Sequence, residues 1–143
     1  MHFVTGGAFN GKRRWVKNRY KEGNWLSAYD GDPFKIRTNG SLQIYEGIEQ
    51  WIKEEIKEKE IEEVRHIWRE RAALLESWEK EKVGRQVVFI GADITKGIVP
   101  LEKEMRQWRD ATGWVYQDLV SRCSRVDLIW YGLNEPLKGK GDH

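Results

Sequence analysis

The stretch that decides the fold is Met1-His2-Phe3-Val4-Thr5-Gly6-Gly7-Ala8-Phe9-Asn10-Gly11-Lys12-Arg13-Arg14-Trp15-Val16-Lys17. A short, mostly apolar run over residues 1–5 stops at a double glycine, and a basic segment opens at Lys12. That order reads as strand, glycine-rich turn, helix. The turn fits G-x-x-x-x-G-K in the strand-to-helix context that a phosphate-binding loop (Walker A) requires. Glycines let backbone N–H groups turn inward on phosphate, and the helix N-terminus adds partial positive charge. Lys12 then reaches the β- and γ-phosphate oxygens. The candidate nucleotide-binding residues are Gly6, Gly7, Ala8, Phe9, Asn10, Gly11, Lys12 and Arg13. The position after the lysine ordinarily holds Ser or Thr, whose hydroxyl binds Mg²⁺. Here it is Arg13, and a guanidinium contacts phosphate but does not ligate a cation. Phosphate binding survives the exchange, whereas metal-dependent transfer loses a ligand. A glycine-rich turn with no ligand is the plain alternative.

Two further apolar runs have the same form. Residues 87–90 end at Gly91, and residues 126–131 end at Gly132. A weaker candidate, residues 25–29, closes at Asp30-Gly31-Asp32-Pro33. These runs are continuous rather than alternating, as strands buried on both faces of a parallel sheet are. Between them the spacing is helical. Residues 12–21 form one short segment. From Leu42 the apolar positions Tyr45, Ile48, Ile52 and Ile56 step by three and four. The stepping resumes through Ile61, Val64, Ile67, Trp68, Leu75 and Trp78 and closes near Gly84, leaving one bent helix or two. The last helix is expected from about Pro100, with Leu101, Met105, Trp108, Val115 and Leu119 inward and Gly113 marking a close contact. Strands alternating with helices predict an α/β fold, a mostly parallel sheet flanked by helices. It is expected as a single domain over residues 1–138 with a frayed tail over 139–143.

The chain has 143 residues, enough to bury a core unaided, and one cysteine, Cys123. An intrachain disulfide and a cysteine-rich zinc site are excluded. A free thiol and no export signal at the start point to the cytoplasm. No apolar run approaches the roughly 20 residues that span a bilayer, so no membrane is expected as a partner. Charge is unevenly spread: residues 1–40 carry 8 Lys+Arg against 3 Asp+Glu, residues 41–82 carry 8 against 12, and residues 83–143 carry 9 against 8. The basic surplus lies in residues 12–21 and implies a polyanionic partner, either nucleotide phosphates or nucleic acid.

Near the C-terminus stand Gly97-Ile98-Val99-Pro100, then Arg106-Gln107-Trp108-Arg109-Asp110-Ala111-Thr112-Gly113, then a strand running into Gly132-Leu133-Asn134-Glu135-Pro136. With the opening loop, these segments resemble the adenosylcobinamide kinase/adenosylcobinamide-phosphate guanylyltransferase family of cobalamin assembly. That family carries G-G-A-x-x-G-K-S, then N-E-V-G-x-G-I-V-P, then R-x-F-R-D-x-x-G. The resemblance covers residues 1–20 and 87–138. It implies a P-loop NTPase-like fold, ATP or GTP with Mg²⁺ as cofactors, cobinamide as acceptor, and a trimeric homo-oligomer. It also implies catalytic roles for Lys12, on the transferred phosphate, and for Asp93, as a Mg²⁺ ligand.

The departures fall on functional positions. Asn-Glu-Val-Gly of the family reads Ala92-Asp93-Ile94-Thr95 here, and the loop serine is Arg13. The family's guanylyl-accepting histidine has no counterpart, because no histidine lies between His2 and His66. The expected function is phosphoryl transfer from ATP or GTP to a cobinamide hydroxyl, without the guanylyl step. Two other readings stay open: a degenerate paralogue that binds nucleotide or a partner protein without turnover, and a nucleic-acid-binding module built on residues 12–21, with Trp15 and Tyr20 stacking. The second is weakened by the confinement of basic residues to one short segment. Asp30 and Asp32 are turn residues or a base near the γ-phosphate, His66 a surface residue, and Cys123 a core thiol.

Overall fold

A computed structural model describes residues 1–7, 11–94 and 102–139. Its elements run β1 (His2–Gly6), α1 (Lys12–Arg19), β2 (Asn24–Ser27), a 3-10 turn (Ala28–Asp30), β3 (Leu42–Glu46), α2 (Ile48–Glu55), α3 (Ile61–Glu81), β4 (Gln86–Ala92), α4 (Lys103–Arg122), β5 (Arg125–Trp130) and β6 (Leu133–Lys138). One six-stranded sheet has the order β2-β3-β4-β1-β5-β6. Five strands are parallel, and β6 returns antiparallel on β5 at the edge. The fold is α/β and P-loop NTPase-like, as the sequence predicts.

The apolar runs are continuous because each strand supplies two cores. Phe3, Tyr45, Val87 and Phe89 face α2, α3 and α4. Their neighbours Val4, Ile44, Val88 and Ile90 face the other way, with Val16 of α1 and Ile129. Trp51, Trp68 and Trp78 lie buried in the first core, and Cys123 joins them. On the outer layer Arg65 and Arg69 of α3 both donate to Asp118 of α4, with Arg65 Nε 2.8 Å from Oδ2.

Several expectations are corrected. The helical spacing from Leu42 does not describe a helix start: residues 42–46 are β3, and the helix begins at Ile48 after Gly47, whose φ is 89°. Tyr45 therefore counts as a strand residue that happens to precede Ile48 by three. The long helical stretch is two helices, α2 and α3, broken over residues 56–60 without glycine or proline. The fourth strand ends at Ser27, and Tyr29 sits in the 3-10 turn. The edge strand β6 is unforeseen. A Cβ on Gly113 would meet nothing within 4 Å, so this glycine marks no close contact. Gly91 does: a Cβ there would lie 2.3 Å from the Tyr116 hydroxyl. The Gly97–Pro100 motif, the start predicted at Pro100 and residues 140–143 of the tail lie outside the described residues.

Candidate functional site

The site is built where β1, β3 and β4 deliver their C-terminal ends beside the start of α1. Gly6 has φ 150°, and a Cβ on it would stand 2.3 Å from the Ile129 carbonyl oxygen, so glycine is required for β1 to leave the sheet there. Gly11 caps α1 in the left-handed region, with φ 88°. Among the described residues no side chain caps this helix, and its first turn holds no acidic residue. Its N–H groups and positive dipole end are left for an anion. Ala8, Phe9 and Asn10, the centre of the predicted loop, lie outside the described residues.

Lys12 is 9% exposed, and its ammonium donates to the carbonyls of Gly7 (2.7 Å) and Gly6 (3.3 Å). Burial lowers its pKa, and the nearby carboxylates of Glu49 and Glu46 oppose the shift. The lysine is thus folded back on the two glycines that open the loop. A phosphate arriving in the loop would offer it a better-charged acceptor.

Arg13 points to the end of β3. Its Nε lies 3.0 and 3.2 Å from the two oxygens of Glu46, its Nη2 lies 2.8 Å from Oε1, and the same nitrogen reaches Asp30 at 3.4 Å. Glu46 has only 5% of its side chain exposed. It also accepts the Ser27 hydroxyl at 2.7 Å. The pairing with Glu46 raises the Arg13 pKa further, so the guanidinium is charged at any working pH. Asp32 accepts the Ser27 N–H at 3.0 Å and shapes the turn after β2.

A second buried carboxylate, Glu49, sits in the first turn of α2. One oxygen accepts the Ala92 N–H at 2.9 Å, and the other accepts the Tyr29 hydroxyl. Burial and the adjacent carboxylate push the Tyr29 phenol well above its ordinary range, so it stays a donor. Trp108 of α4 donates to the Glu49 carbonyl at 2.8 Å and ties this turn to the rest of the first core. Lys12, Arg13, Tyr29, Glu46, Glu49 and Ile90 all line one cavity of about 870 Å³. Arg14 and Lys17, further along α1, line it too.

The structure brings Gly6, Gly7, Gly11, Lys12 and Arg13 together. Asp93 stands beside them through its backbone, whose N–H donates to the Gly6 carbonyl at 2.8 Å. Ala92 and Ile94 line the cavity, whereas Asp93 between them does not. Sequence reasoning missed Glu46 and Glu49. The available signal was Gly47, a glycine breaking an apparent helical pattern with an acidic residue just before it and another two beyond. His66 is on the surface as expected, 71% exposed and 3.1 Å from Glu70.

Mg²⁺ asks for an octahedral set of oxygens at about 2.1 Å. Arg13 and Glu46 do not fit it. The position that normally gives a hydroxyl gives a guanidinium, and that guanidinium holds both oxygens of the strand-end carboxylate. Among the described residues no cluster of three or more His, Cys, Asp or Glu could hold a metal ion, and no helix is long and apolar enough to cross a membrane.

Comparison with known proteins agrees with the geometry. The bifunctional adenosylcobalamin biosynthesis protein CobP of Pseudomonas aeruginosa is 39% identical over 71 residues, a stretch covering 50% of this chain. That stretch is 40% of the relative, so the chain matches about two fifths of its length. The model of the family described as cobinamide kinase / cobinamide phosphate guanyltransferase matches residues 34–137. Glu46, Glu49 and Asp93 fall inside that match, and the glycine loop precedes it. With most of its length matched by that model, the chain belongs to the cobinamide kinase / cobinamide phosphate guanyltransferase family.

Proposed function

We propose that this chain binds ATP or GTP at residues 6–13 and transfers the γ-phosphoryl group to a hydroxyl of a cobinamide. The observation that carries the reading is Lys12: a buried ammonium held on the Gly6 and Gly7 carbonyls, at the uncapped start of α1, inside a large cavity. In the transfer, the acceptor oxygen bonds to the γ-phosphorus and the bridging P–O bond to the β-phosphate breaks. The bonding pair leaves with the nucleoside diphosphate, and the hydroxyl proton passes to a phosphoryl oxygen. Little covalent chemistry is asked of the protein, and positioning with charge stabilisation does most of the work. Lys12 supplies the charge at the transferred group. The Asp93 N–H holds the Gly6 carbonyl at the end of β1, which keeps the start of the loop in place.

Isothermal titration with ATP and with GTP tests the reading. Lys12→Ala removes the cation aimed at the β/γ-phosphates and is expected to weaken binding by at least about tenfold, since charge-assisted hydrogen bonds contribute roughly 1.5–3 kcal/mol. An unchanged dissociation constant would show the loop to be only a turn. Transfer of labelled γ-phosphate to adenosylcobinamide separates the kinase from a binding-only relative. The nucleic-acid reading loses support from the packing. Trp15 and Tyr20 lie edge-on to the His2 ring, Arg19 lies over both, and Arg13 is turned to Glu46.

A further inference from the structure

We infer that Arg13, anchored on Glu46, takes the place of the divalent cation, so that the site binds its triphosphate as the free anion. This rests on the nucleotide-binding reading above and adds to it a built-in counter-charge.

The placement comes from topology. In sites with a glycine loop, the metal lies between a hydroxyl on the residue after the loop lysine and a second-motif acid. Here β3 ends at Glu46, one strand removed from β1 with β4 between them. The residue after the lysine is Arg13. The two positions that would share an ion are thus in direct contact, closed by three nitrogen–oxygen distances of 2.8–3.2 Å.

The chemistry leaves no room for both. Oε1 of Glu46 already receives Arg13 and the Ser27 hydroxyl, and Oε2 receives Arg13 again. An ion inserted there would have to strip a charged, bidentate donor from a carboxylate that water scarcely reaches. A guanidinium also repels a divalent cation at this range, even with the screening that a half-exposed group receives. Arg13 is 47% exposed on its side chain, and its Nη1 has no hydrogen-bond partner among the described residues. That edge is the one left to meet a phosphate oxygen. Glu46 cancels much of the added charge, but Arg14 and Lys17 stand on the same cavity wall and restore a positive balance.

The arrangement makes the Mg²⁺ effect on binding a property of two residues. Nucleotide affinity is measured calorimetrically in excess Mg²⁺ and in chelator, for the native chain, Arg13→Ser, Arg13→Lys and Arg13→Ser/Glu46→Gln, with each fold checked by circular dichroism. The native chain is expected to bind within about threefold in the two buffers. Arg13→Ser frees Glu46 beside a new hydroxyl, and Mg²⁺ is then expected to tighten binding by about tenfold or more. The double variant, lacking the carboxylate, loses that gain. Arg13→Lys keeps the charge without the fork and remains indifferent to Mg²⁺, which keeps the test valid if the serine variant misfolds. Native binding that Mg²⁺ strengthens by about tenfold overturns the inference and leaves the nucleotide site standing. A folded Arg13→Ser that gains nothing from Mg²⁺ also overturns it. No binding of either nucleotide in either buffer refutes the loop reading itself, and this inference falls with it.

Discussion

Lowering the pH should destabilise this protein through a single buried imidazole. His2 opens β1 and is 1% exposed. Its Nε2 lies 2.6 Å from an oxygen of Asp127, and its Nδ1 lies 2.6 Å from the Tyr20 hydroxyl. Asp127 is fully buried and is already claimed by Arg125, at 2.6 Å, and Asn134, at 3.1 Å. The hydrogen bonds assign the tautomer: Nε2–H donates to Asp127, and Nδ1 accepts from Tyr20. Burial lowers the imidazole pKa from 6.5 to about 4, against the pull of the Asp127 carboxylate. The unfolded chain titrates near 6.5. Between those values the unfolded state binds a proton that the folded state refuses, so stability falls as pH falls. From pH 8 to pH 5 the linkage amounts to about 2 kcal/mol, a change of about 30-fold in the unfolding equilibrium. Stopping at pH 5 keeps most carboxylates ionised in both states. Urea unfolding followed by tryptophan fluorescence, at four pH values, measures this directly for the native chain and for His2→Gln. The variant is expected to be less stable at pH 8 but to lose the slope. Equal slopes in the two proteins, or a flat native profile, would refute the argument.

Other outcomes follow from close contacts. Gly91→Ala puts a Cβ 2.3 Å from the Tyr116 oxygen and displaces the hydroxyl that donates to Ala92, with a loss of about 1–3 kcal/mol in urea unfolding; adding Tyr116→Phe is expected to recover part of it. Cys123 is 1% exposed with its thiol pushed up to about 12 by burial, so it is expected not to react with a thiol-specific disulfide reagent at pH 8 until the chain unfolds. Incubation with GTP is expected to leave the intact mass unchanged. Among the described residues His66 is exposed on α3, and His2 has both ring nitrogens engaged at the far end of β1 from the loop; a one-GMP increment mapped to either would overturn this.

What could be read from the sequence was set by how each element is buried. The strands β1, β4 and β5 are central, carry apolar side chains on both faces and stop at or near glycine, so their residues announce them. Helix α3 has a one-sided stripe through Val64, Trp68, Leu75 and Trp78 that periodicity finds at once. Strand β3 hides because Tyr45 and Ile48 sit three apart across Gly47, so a strand end and a helix start imitate one helical face. Strand β6 hides for the opposite reason. It is an exposed edge whose Leu133 and Leu137 face solvent, with Pro136 in it, and only its pairing to β5 makes it a strand. The loop half of the site was legible as a motif. The acidic half was not, since Glu46 acquires meaning only once β3 is known to end beside α1.

That dependence also explains why Arg13 and Glu46 must be understood together. A carboxylate at 5% exposure with no cation beside it would be costly. An arginine substituted alone into a site that holds Mg²⁺ would set two cations against each other. Each residue is unfavourable without its partner, and both are tolerated when the guanidinium fills the carboxylate's need directly. Because Arg13 is half exposed, the pair itself contributes about 1 kcal/mol rather than the several expected of a fully buried one. Its weight lies less in stability than in what it excludes. By committing the strand-end acid to a fixed organic cation, the pair ties the residue that departs from the family loop to one lying inside the family match at residues 34–137. On the proposed reading, a change at either position changes which cation the phosphates meet.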